Sequence, residues 1–243
     1  MSPRKTLVTV RGYPTPVLVV PVGFFVTAAV ALGYYPSAHF GGRKPCAEKS
    51  MTLIAVLVGS YVLGCLVAAY YITRFRHGVD IRASGSGNAG ATNVARLYGR
   101  REAAVTLILD GLKGALAVTA GFYFVGADWA AVLALAAAIV GHIWPAQLQF
   151  HGGKGVATGL GGFLTLNPLA TLTVIGIGLV VYALTRRYFR SGLVAIGLAG
   201  PVLWAFGHSL AAVVLVAATS VLCLVVHHPA IDAPRQPQEA KSQ

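Results

Sequence analysis

The sequence predicts an all-α integral membrane protein, a polytopic bundle of helices that crosses the bilayer several times. Hydrophobic residues occupy 56% of the 243 positions, only 11% are charged, and the mean hydropathy is +0.70. A soluble domain carries roughly 25% charged residues. The apolar residues fall in runs long enough to cross about 30 Å of hydrocarbon as helices, and polar stretches separate these runs. The composition therefore excludes an ordinary soluble protein.

Seven apolar segments, one of them short, make up the predicted membrane core, residues 52–228. The 29-residue run from 156 to 184 is long for one helix, so we expect Asn167-Pro168 to divide it into a short Gly-rich segment and a second span. A single span would place the basic residues 186–190 outside, against the tendency of basic loops to remain cytoplasmic. The expected segments are 51–73, 103–125, 129–144, 156–167, 168–184, 192–206 and 209–226.

An N-terminal extension, residues 1–51, and a polar tail, residues 229–243, flank this core. Residues 17–35 are apolar and follow three basic residues, but no convincing small-residue cleavage site accompanies them. We therefore expect an uncleaved extra span, followed by a polar loop over residues 36–50. The tail contains prolines and is expected to be disordered.

The chain is strongly basic, with 19 Lys and Arg against 7 Asp and Glu, a formal charge of +12. In a soluble protein this excess would suggest nucleic acid as a partner. Here most basic residues lie in short loops or at the ends of spans, which indicates cytoplasmic loops. The loop 74–101 carries six arginines against the single acid Asp80 before residue 102, so we place it in the cytoplasm. The remaining excess suits anionic headgroups or a phosphorylated substrate.

A polar stretch at residues 84–96, S-G-S-G-N-A-G-A-T-N-V-A-R, stands between the apolar segments. Glycine permits positive φ, and exposed successive N–H groups form a concave nest that suits phosphate oxygens. Hydroxyl and amide side chains add neutral donors, and the arginine adds a bidentate one. The stretch predicts a phosphate site. Its candidate residues are Ser84, Ser86, Gly87, Asn88, Gly90, Thr92, Asn93 and Arg96.

Two other interpretations of this stretch are open. Gly85, Gly87 and Gly90 spell the dinucleotide fingerprint G-x-G-x-x-G, but that fingerprint follows a buried strand, whereas residues 74–82 are charged. A flexible Gly/Ser linker is the second alternative, although asparagines and an arginine are unusual in a spacer.

A charged pair, Asp110 and Lys113, interrupts the apolar run 103–125. Residues three apart lie on one helix face and can pair. Ionisable groups at membrane depth are costly and usually face a bundle interior or a wet cavity. The pair is interpreted either as part of the positive field of a site, with Asp110 orienting Lys113, or as a self-neutralising pair that joins helices.

A second Gly-rich stretch, Q-L-Q-F-H-G-G-K-G at residues 147–155, follows His142 and Pro145. A P-loop would require Ser or Thr after the lysine and a strand before the loop, and neither is present. A lysine among glycines with free N–H groups is nevertheless suited to an anion. The candidate residues are Gly152, Gly153, Lys154 and Gly155.

Neither a disulfide framework nor a metal site is expected. The three cysteines, Cys46, Cys65 and Cys223, are scattered without C-x-x-C spacing. No cluster of His, Cys, Asp and Glu has the spacing of metal ligands, and no soluble cofactor is suggested.

Taken together, three segments resemble the three cytoplasmic motifs of the bacterial acyl-phosphate:glycerol-3-phosphate acyltransferase family, usually called PlsY. They are residues 84–96, residues 110–114 (D-G-L-K-G) and residues 141–158, which begin with Gly141-His142 and end in H-G-G-K-G-V-A-T. The resemblance covers roughly residues 52–231. Three separate motifs in the right order make it specific.

The resemblance implies a seven-helix enzyme of the bacterial plasma membrane with its motif loops on the cytoplasmic side. The family makes lysophosphatidate from an acyl phosphate and the 1-hydroxyl of glycerol 3-phosphate, the first step of phospholipid synthesis. The implied partners are these two substrates and membrane lipids, without nucleic acid or an obligatory protein partner. Ser86 and Arg96, Lys113, and His142 and Lys154 match functional positions of the first, second and third motifs.

The chain also departs from the family pattern. The first core span of the family usually contains G-S-I-P-x-G, where this chain reads G-C-L-V-A. Near Arg187 the family has serines, of which Ser191 is one residue out of step. After the last helix His227 matches a family histidine, but Ala230 and Ala233 stand where Asn and Arg are expected. These changes bear on substrate affinity or turnover rather than on the fold.

An acyl phosphate is an activated mixed anhydride, so transfer of its acyl group to a hydroxyl needs little covalent catalysis. The protein must hold two anionic molecules together against their repulsion, which makes positioning and charge stabilisation the main tasks. We assign Arg96, Lys154 and the 84–93 loop to phosphate binding. His142 is the first candidate for general base and His227 the second.

Four alternatives remain at this point. The departing phosphate could take the proton, and His142 could instead cap a helix end or orient a loop. Ser86 is expected to hydrogen-bond phosphate rather than act as a nucleophile. A transporter or a non-catalytic binding protein for phosphorylated solutes is the rival function, but no internal repeat pairs the two halves and the polar motifs all fall on one side.

Overall fold

The computed structural model describes residues 46–227, and the regular structure in this range is helical. Two short 3₁₀ helices, Ile81–Ala83 and Ala146–Leu148, accompany the longer helices. The nine α-helices of this range are α1 Cys46–Cys65, α2 Ala68–His77, α3 Ala91–Tyr98, α4 Arg100–Val125, α5 Asp128–Ile143, α6 Val156–Leu166, α7 Pro168–Thr185, α8 Tyr188–Ala205 and α9 Leu210–His227.

The ends of the chain limit what the structure says about two predictions. Residues 46–50 belong to α1, so the prediction of a loop as far as residue 50 is wrong for these positions. The expected span at 17–35 and the expected disordered tail at 229–243 lie outside the described residues.

The apolar segments of the described range match the predicted membrane core. Four stretches are long and apolar enough to cross a bilayer, namely Ser50–His77, Arg100–Val125, Asp128–Leu148 and Pro168–Thr185. Of the remaining apolar helices, α6 is short, with 11 residues, as the sequence predicts, and α8 and α9 have 18 residues each, as many as α7. The all-α membrane fold is confirmed, and the number of crossings stays a prediction.

The predicted division of the run 156–184 is confirmed at Asn167. The Asn167 Oδ1 accepts a hydrogen bond of 2.9 Å from the Ala170 N–H, and Pro168 occupies the first turn of α7. An asparagine cap followed by proline is a favourable helix start, because the cap satisfies a free N–H and proline has no N–H to leave unpaired. Two local residues therefore suffice to end α6 and begin α7.

Glycines bring the central helices into close contact. A Cβ added to Gly114 of α4 would overlap the backbone oxygen of Thr158 on α6, and a Cβ on Gly141 of α5 would overlap that of Tyr61 on α1. Small residues at such positions allow membrane helices to approach at backbone distance. The start of α4, the end of α5 and the start of α6 consequently lie at one end of the bundle.

At the opposite end a polar network ties three helix connections together. The Asp128 carboxylate accepts hydrogen bonds from the Ser209 hydroxyl (2.7 Å) and N–H (2.9 Å), and lies 3.5 Å from the His208 Nδ1. The His208 Nε2 lies 3.1 Å from the Asn167 Nδ2. Because Asn167 already uses its oxygen to cap Ala170, its nitrogen must donate, and His208 is neutral with its hydrogen on Nδ1. Burial lowers the pKa of His208, which agrees with this state.

Candidate active site

Two charged side chains of α4 hold the break between α1 and α2. The Lys113 Nζ donates to the carbonyl oxygens of Gly64 (3.0 Å) and Leu66 (3.1 Å), and the Asp110 Oδ1 accepts from the Ala68 N–H at 3.3 Å. The last carbonyls of a helix carry partial negative charge and its first N–H groups partial positive charge. The ammonium and the carboxylate therefore each meet the complementary helix end. The predicted span 51–73 is present, but its helix is interrupted between Cys65 and Ala68.

Asp110, Lys113 and His142 form one buried cluster. The Lys113 Nζ lies 2.9 Å from the Asp110 Oδ1 and 2.7 Å from the His142 Nδ1, and the three side chains are at most 4% exposed. The contact expected from the three-residue spacing is thus present. An ammonium has three hydrogens, and Lys113 faces four acceptors when the carbonyls of Gly64 and Leu66 are counted. No hydrogen of Lys113 is left for a substrate.

The lysine also determines which nitrogen of His142 carries hydrogen. When the Lys113 ammonium donates to Nδ1, this nitrogen must keep a lone pair, and the neutral imidazole then carries its hydrogen on Nε2. The Nε2 side of the ring lies against Gly153, where an added Cβ would overlap it. A ring in this state has no free lone pair to accept a proton. The geometry fits a residue that positions the neighbouring loop better than it fits a general base.

The first Gly-rich stretch is an ordered loop organised by Asn93. This side chain is buried; its Oδ1 accepts from the Ser86 N–H (2.9 Å), and its Nδ2 donates to the carbonyls of Ser84 (2.9 Å) and Ile81 (3.3 Å). Gly85 has φ +63°, and a Cβ there would overlap the Asn93 amide. The flexible-linker alternative therefore does not fit. Asn93 supports the loop, since its amide is already engaged.

The second half of that stretch is helical, because residues 91–96 lie in α3. Several polar side chains of the stretch remain available to a ligand. Ser86, Thr92 and Arg96 are exposed, and Ser84, Asn88 and Gly90 are half-buried. In the part of the chain that the structure describes, five of these side chains have no hydrogen-bond or ion-pair partner: Ser84, Ser86, Asn88, Thr92 and Arg96.

The third motif presents a lysine at the start of a helix. Lys154 is half-buried and unpaired among the described residues, and burial lowers its pKa. Gly155, with φ +75°, precedes α6, whose first turn has no side-chain cap. Upstream, the N–H groups of Gly152 and Gly153 donate to the carbonyls at the end of α5, each at 3.0 Å. The lysine and the free N–H groups of α6 together can bind an anion.

Gly153 is the point at which the three motifs meet. An added Cβ there would lie 2.7 Å from the Ala89 carbonyl oxygen of the first motif and would overlap the His142 Nε2. His142 in turn contacts Lys113 of the second motif. Lys154, the residue after Gly153, is thus held beside the 84–90 loop. Such an arrangement can bind phosphate groups between two loops at one end of the bundle.

Comparison with known proteins identifies the family. The family model described as glycerol-3-phosphate acyltransferase matches residues 54–235. The chain belongs to this family. A glycerol-3-phosphate acyltransferase 1 of Bacillus cereus is 36% identical over 171 residues, covering 70% of this chain and 94% of the relative. A second one, from Desulfitobacterium hafniense, is 42% identical over 156 residues, 64% of this chain and 77% of the relative.

Solved structures of the family share the fold of this acyltransferase. The crystal structure of PlsY (YgiH), an integral membrane glycerol 3-phosphate acyltransferase, in its glycerol 3-phosphate form has a TM-score of 0.68 at 29% identity. The match covers 74% of this chain and 90% of the PlsY chain. Its lysophosphatidic acid form has a TM-score of 0.67 at 28% identity, with 74% and 89% covered. These matches place the protein in a membrane.

The remaining predicted site residues are Arg187, Ser191 and His227. Ser191 is buried and donates to the Arg187 carbonyl at 2.9 Å, between α7 and α8. No hydrogen bond or ion pair within residues 46–227 joins either residue to the three motifs. His227 ends α9, and its side chain, like Ala230 and Ala233, lies outside the described residues.

Sequence reasoning missed two residues that hold the acyltransferase site. The Gln147 Nε2 donates to the carbonyl of Cys65 in the break between α1 and α2. Arg82 bonds Asp80 and two carbonyls of the loop after α5. Both are polar residues beside a recognised motif, which is the only signal the sequence offers. Within the described range no three His, Cys, Asp or Glu residues lie close enough to hold a metal ion.

Proposed function

We propose that this protein transfers an acyl group from an acyl phosphate to the 1-hydroxyl of glycerol 3-phosphate. The hydroxyl oxygen forms an ester bond to the acyl carbon, and the bond between that carbon and the phosphate oxygen breaks. The products are lysophosphatidate and inorganic phosphate. The observation that supports this most is the meeting of the three motifs at Gly153, which sets the unpaired Lys154 beside the 84–90 loop. The glycerol 3-phosphate and lysophosphatidic acid forms of PlsY agree with it.

The site suits two phosphorylated substrates. The positive charge and the hydrogen-bond donors come from Lys154, Arg96 and the N–H groups of the Gly-rich loop. The Asp110 carboxylate does not offset this charge, because Lys113 neutralises it. Charge-assisted hydrogen bonds of this kind are about twice as strong as neutral ones. Holding two anions in reacting geometry accounts for most of the rate enhancement that such a transfer needs.

The departing phosphate takes the proton of the attacking hydroxyl in this proposal. With Lys113 charged, His142 is poorly placed to accept it, since the Nδ1 then accepts from the ammonium and the Nε2 carries the hydrogen. When the bond between the acyl carbon and the phosphate oxygen breaks, its electron pair stays on that oxygen, which takes up the hydroxyl proton. The product leaves mainly as HPO₄²⁻ near neutral pH, because the second pKa of a phosphate group is about 6. Lys113 and His142 then act as positioning residues, and His227 remains a second candidate for the base.

The acyl chain is assigned to a groove between α1 and α4. The groove has a volume of about 300 Å³ and is mainly apolar. It extends along α1 from Leu63, next to the break, to Thr52, a length of roughly 16 Å at 1.5 Å per residue. On α4 it begins at Leu116, one turn from Lys113, and ends at Phe124. The acyl chain lies along the groove with its carbonyl towards the motifs.

The groove predicts a change in chain-length preference when it is filled. Gly59 lines the groove, and a Cβ there would meet no atom within 4 Å. Gly59→Leu is therefore expected to lower the ratio of kcat/KM for hexadecanoyl over octanoyl phosphate by about tenfold, as two buried methylenes at about 0.8 kcal/mol each would require. The ratio is measured on purified protein in detergent.

Gly197→Leu is the matched control for this prediction. Gly197 lies in α8, is exposed, and also has open space around its Cβ position. Both substitutions replace a helical glycine by leucine, so they raise helix propensity equally. An equal shift in both variants, or none in Gly59→Leu, would mean that the acyl chain lies elsewhere.

The protein is placed in the bacterial plasma membrane with its motif loops in the cytoplasm. Arginines concentrate at the motif end of the bundle, which the positive-inside tendency assigns to the cytoplasm. These residues are Arg74, Arg76, Arg96, Arg100 and Arg101. Residues 52–228 are the acyltransferase core in this proposal, and residues 1–51 are an extension to it.

Phosphate release tests the proposed reaction. Purified protein in detergent is expected to release phosphate from a synthetic acyl phosphate only with glycerol 3-phosphate present, and to form lysophosphatidate detectable by mass spectrometry. Arg96→Ala and Lys154→Ala should both reduce this release. A carrier of phosphorylated solutes, the rival function, would show solute movement in sealed vesicles and no lysophosphatidate in detergent. That result would overturn the proposal.

A further inference from the structure

Arg82 contacts groups on several sides of its guanidinium. The Nε lies 3.0 Å from the Asp80 Oδ1 and the Nη2 lies 2.7 Å from the Asp80 Oδ2, a bidentate pair. The Nη1 donates to the carbonyls of Leu148 (2.7 Å) and His151 (3.2 Å). The guanidinium also stands 5.2 Å from the centre of the Tyr70 ring. Of its five N–H donors, at most one remains free, so Arg82 is not placed to bind phosphate itself.

These contacts join the two loops that carry the candidate phosphate site. Arg82 lies two residues before Ser84, and His151 lies three residues before Lys154. The bonds from Arg82 to Leu148 and His151 are the only hydrogen bonds between residues 78–90 and residues 144–155, both of which the structure describes in full. The Asp80 carboxylate fixes the guanidinium and also accepts from the Arg82 N–H at 3.0 Å.

We propose that Arg82 is a positioning residue for the acyl transfer, which sets the separation of the 84–90 loop from Lys154. The side chains of Ser86 on one loop and Lys154 on the other have no partner among residues 46–227 that would hold them at a defined distance. Arg82 and the contact of Gly153 with Ala89 supply that constraint. The inference rests on the proposed function, since it assigns Arg82 a task in binding the two phosphorylated substrates.

Kinetics of Arg82 variants test this role. Arg82→Ala is expected to lower kcat/KM by roughly 100-fold, the cost of a misplacement of about 1 Å, mainly through higher KM for both substrates. Arg82→Lys keeps the charge but not the planar fork, so it is expected to lose at least about tenfold. Methylguanidinium at millimolar concentration should restore part of the activity of Arg82→Ala, because its N–H groups can donate to the same acceptors as the Arg82 guanidinium.

Arg74→Ala is the matched control. Arg74 is exposed at the same end of the bundle and makes one hydrogen bond, of 2.9 Å, to the Gly78 carbonyl. The Arg74→Ala substitution removes one positive charge, as Arg82→Ala does, and is expected to change kcat/KM by less than about twofold. If Arg82→Ala does not fold, Arg82→Lys with an unfolding temperature equal to that of the wild type carries the test.

Two results would overturn the inference alone. The first is wild-type kcat/KM in Arg82→Lys. The second is a loss in Arg82→Ala that appears only as lower unfolding temperature, without a change in KM and without rescue by methylguanidinium. Inactivity of the wild type and of Arg74→Ala would instead overturn the proposed function, and the inference with it.

Discussion

Lys154→Ala is expected to lower kcat/KM for acyl transfer by roughly 100- to 1000-fold, the loss typical of removing one charge-stabilising donor from an active site. Lys154 is the lysine beside the meeting point of the three motifs, and no described carboxylate neutralises it. Two anionic substrates repel each other most at reacting distance, so removing the Lys154 charge destabilises the transition state more than it weakens the binding of either substrate alone. The measurement is the rate of lysophosphatidate formation at varied glycerol 3-phosphate. Arg101→Ala, which removes an exposed charge at the same end of the bundle, is expected to change it little.

The pH dependence of Lys154→Arg separates charge from shape. Burial lowers the pKa of Lys154, so its positive charge is present below that pKa and is lost as pH rises through it, earlier than for an exposed lysine. We expect KM for glycerol 3-phosphate to rise on the alkaline side in the wild type. Arginine stays protonated throughout, so the same rise should be absent in Lys154→Arg. An identical alkaline rise in both proteins would assign the titration to another group.

Lys113→Met is expected to destabilise the fold by about 3–5 kcal/mol, the cost of leaving one member of a buried pair without its partner. The substitution strands the Asp110 carboxylate and removes the donor to the carbonyls of Gly64 and Leu66. Thermal unfolding in detergent measures the loss. Activity should fall with the folded fraction, because the break between α1 and α2 adjoins the site.

The double variant Asp110→Asn/Lys113→Met is the control for this prediction. Removing both charges leaves no buried unpaired carboxylate, so the double variant is expected to be more stable than Lys113→Met alone. A Lys113→Met protein with wild-type unfolding temperature and no activity would contradict the structural role. Lys113 would then have to act on the substrate.

Local patterns accounted for the features that the sequence predicted correctly. At Asn167-Pro168 one helix ends and the next begins, and the Asn167 side chain caps the Ala170 N–H only three residues away. Asp110 and Lys113 are neighbours on one turn of α4. The family resemblance rested on contiguous motifs, which a single chain displays. Such features depend on short-range geometry and therefore show in the sequence.

Partners distant in sequence decided what the predictions missed. Nothing near residues 51–73 signals a break, because the groups that satisfy the exposed backbone, Lys113 and Asp110, lie more than 40 residues away. Asn93 belongs to a residue type that can bind phosphate. Only the folded loop shows that its amide already makes hydrogen bonds with the backbone of Ser84, Ser86 and Ile81.

The amino-acid sequence by itself determined the helical membrane class, the order of most core segments and the three motifs of an acyltransferase, since hydropathy and motif spacing are properties of consecutive residues. The tertiary structure alone decided which polar residues of the motifs have partners within the protein and which do not. Lys113 is neutralised by Asp110 and bonded to His142 and the broken helix, whereas Lys154 is left unpaired beside Gly153. The physical reason is that a buried polar group must find a partner, and the partner's identity depends on which helices pack together.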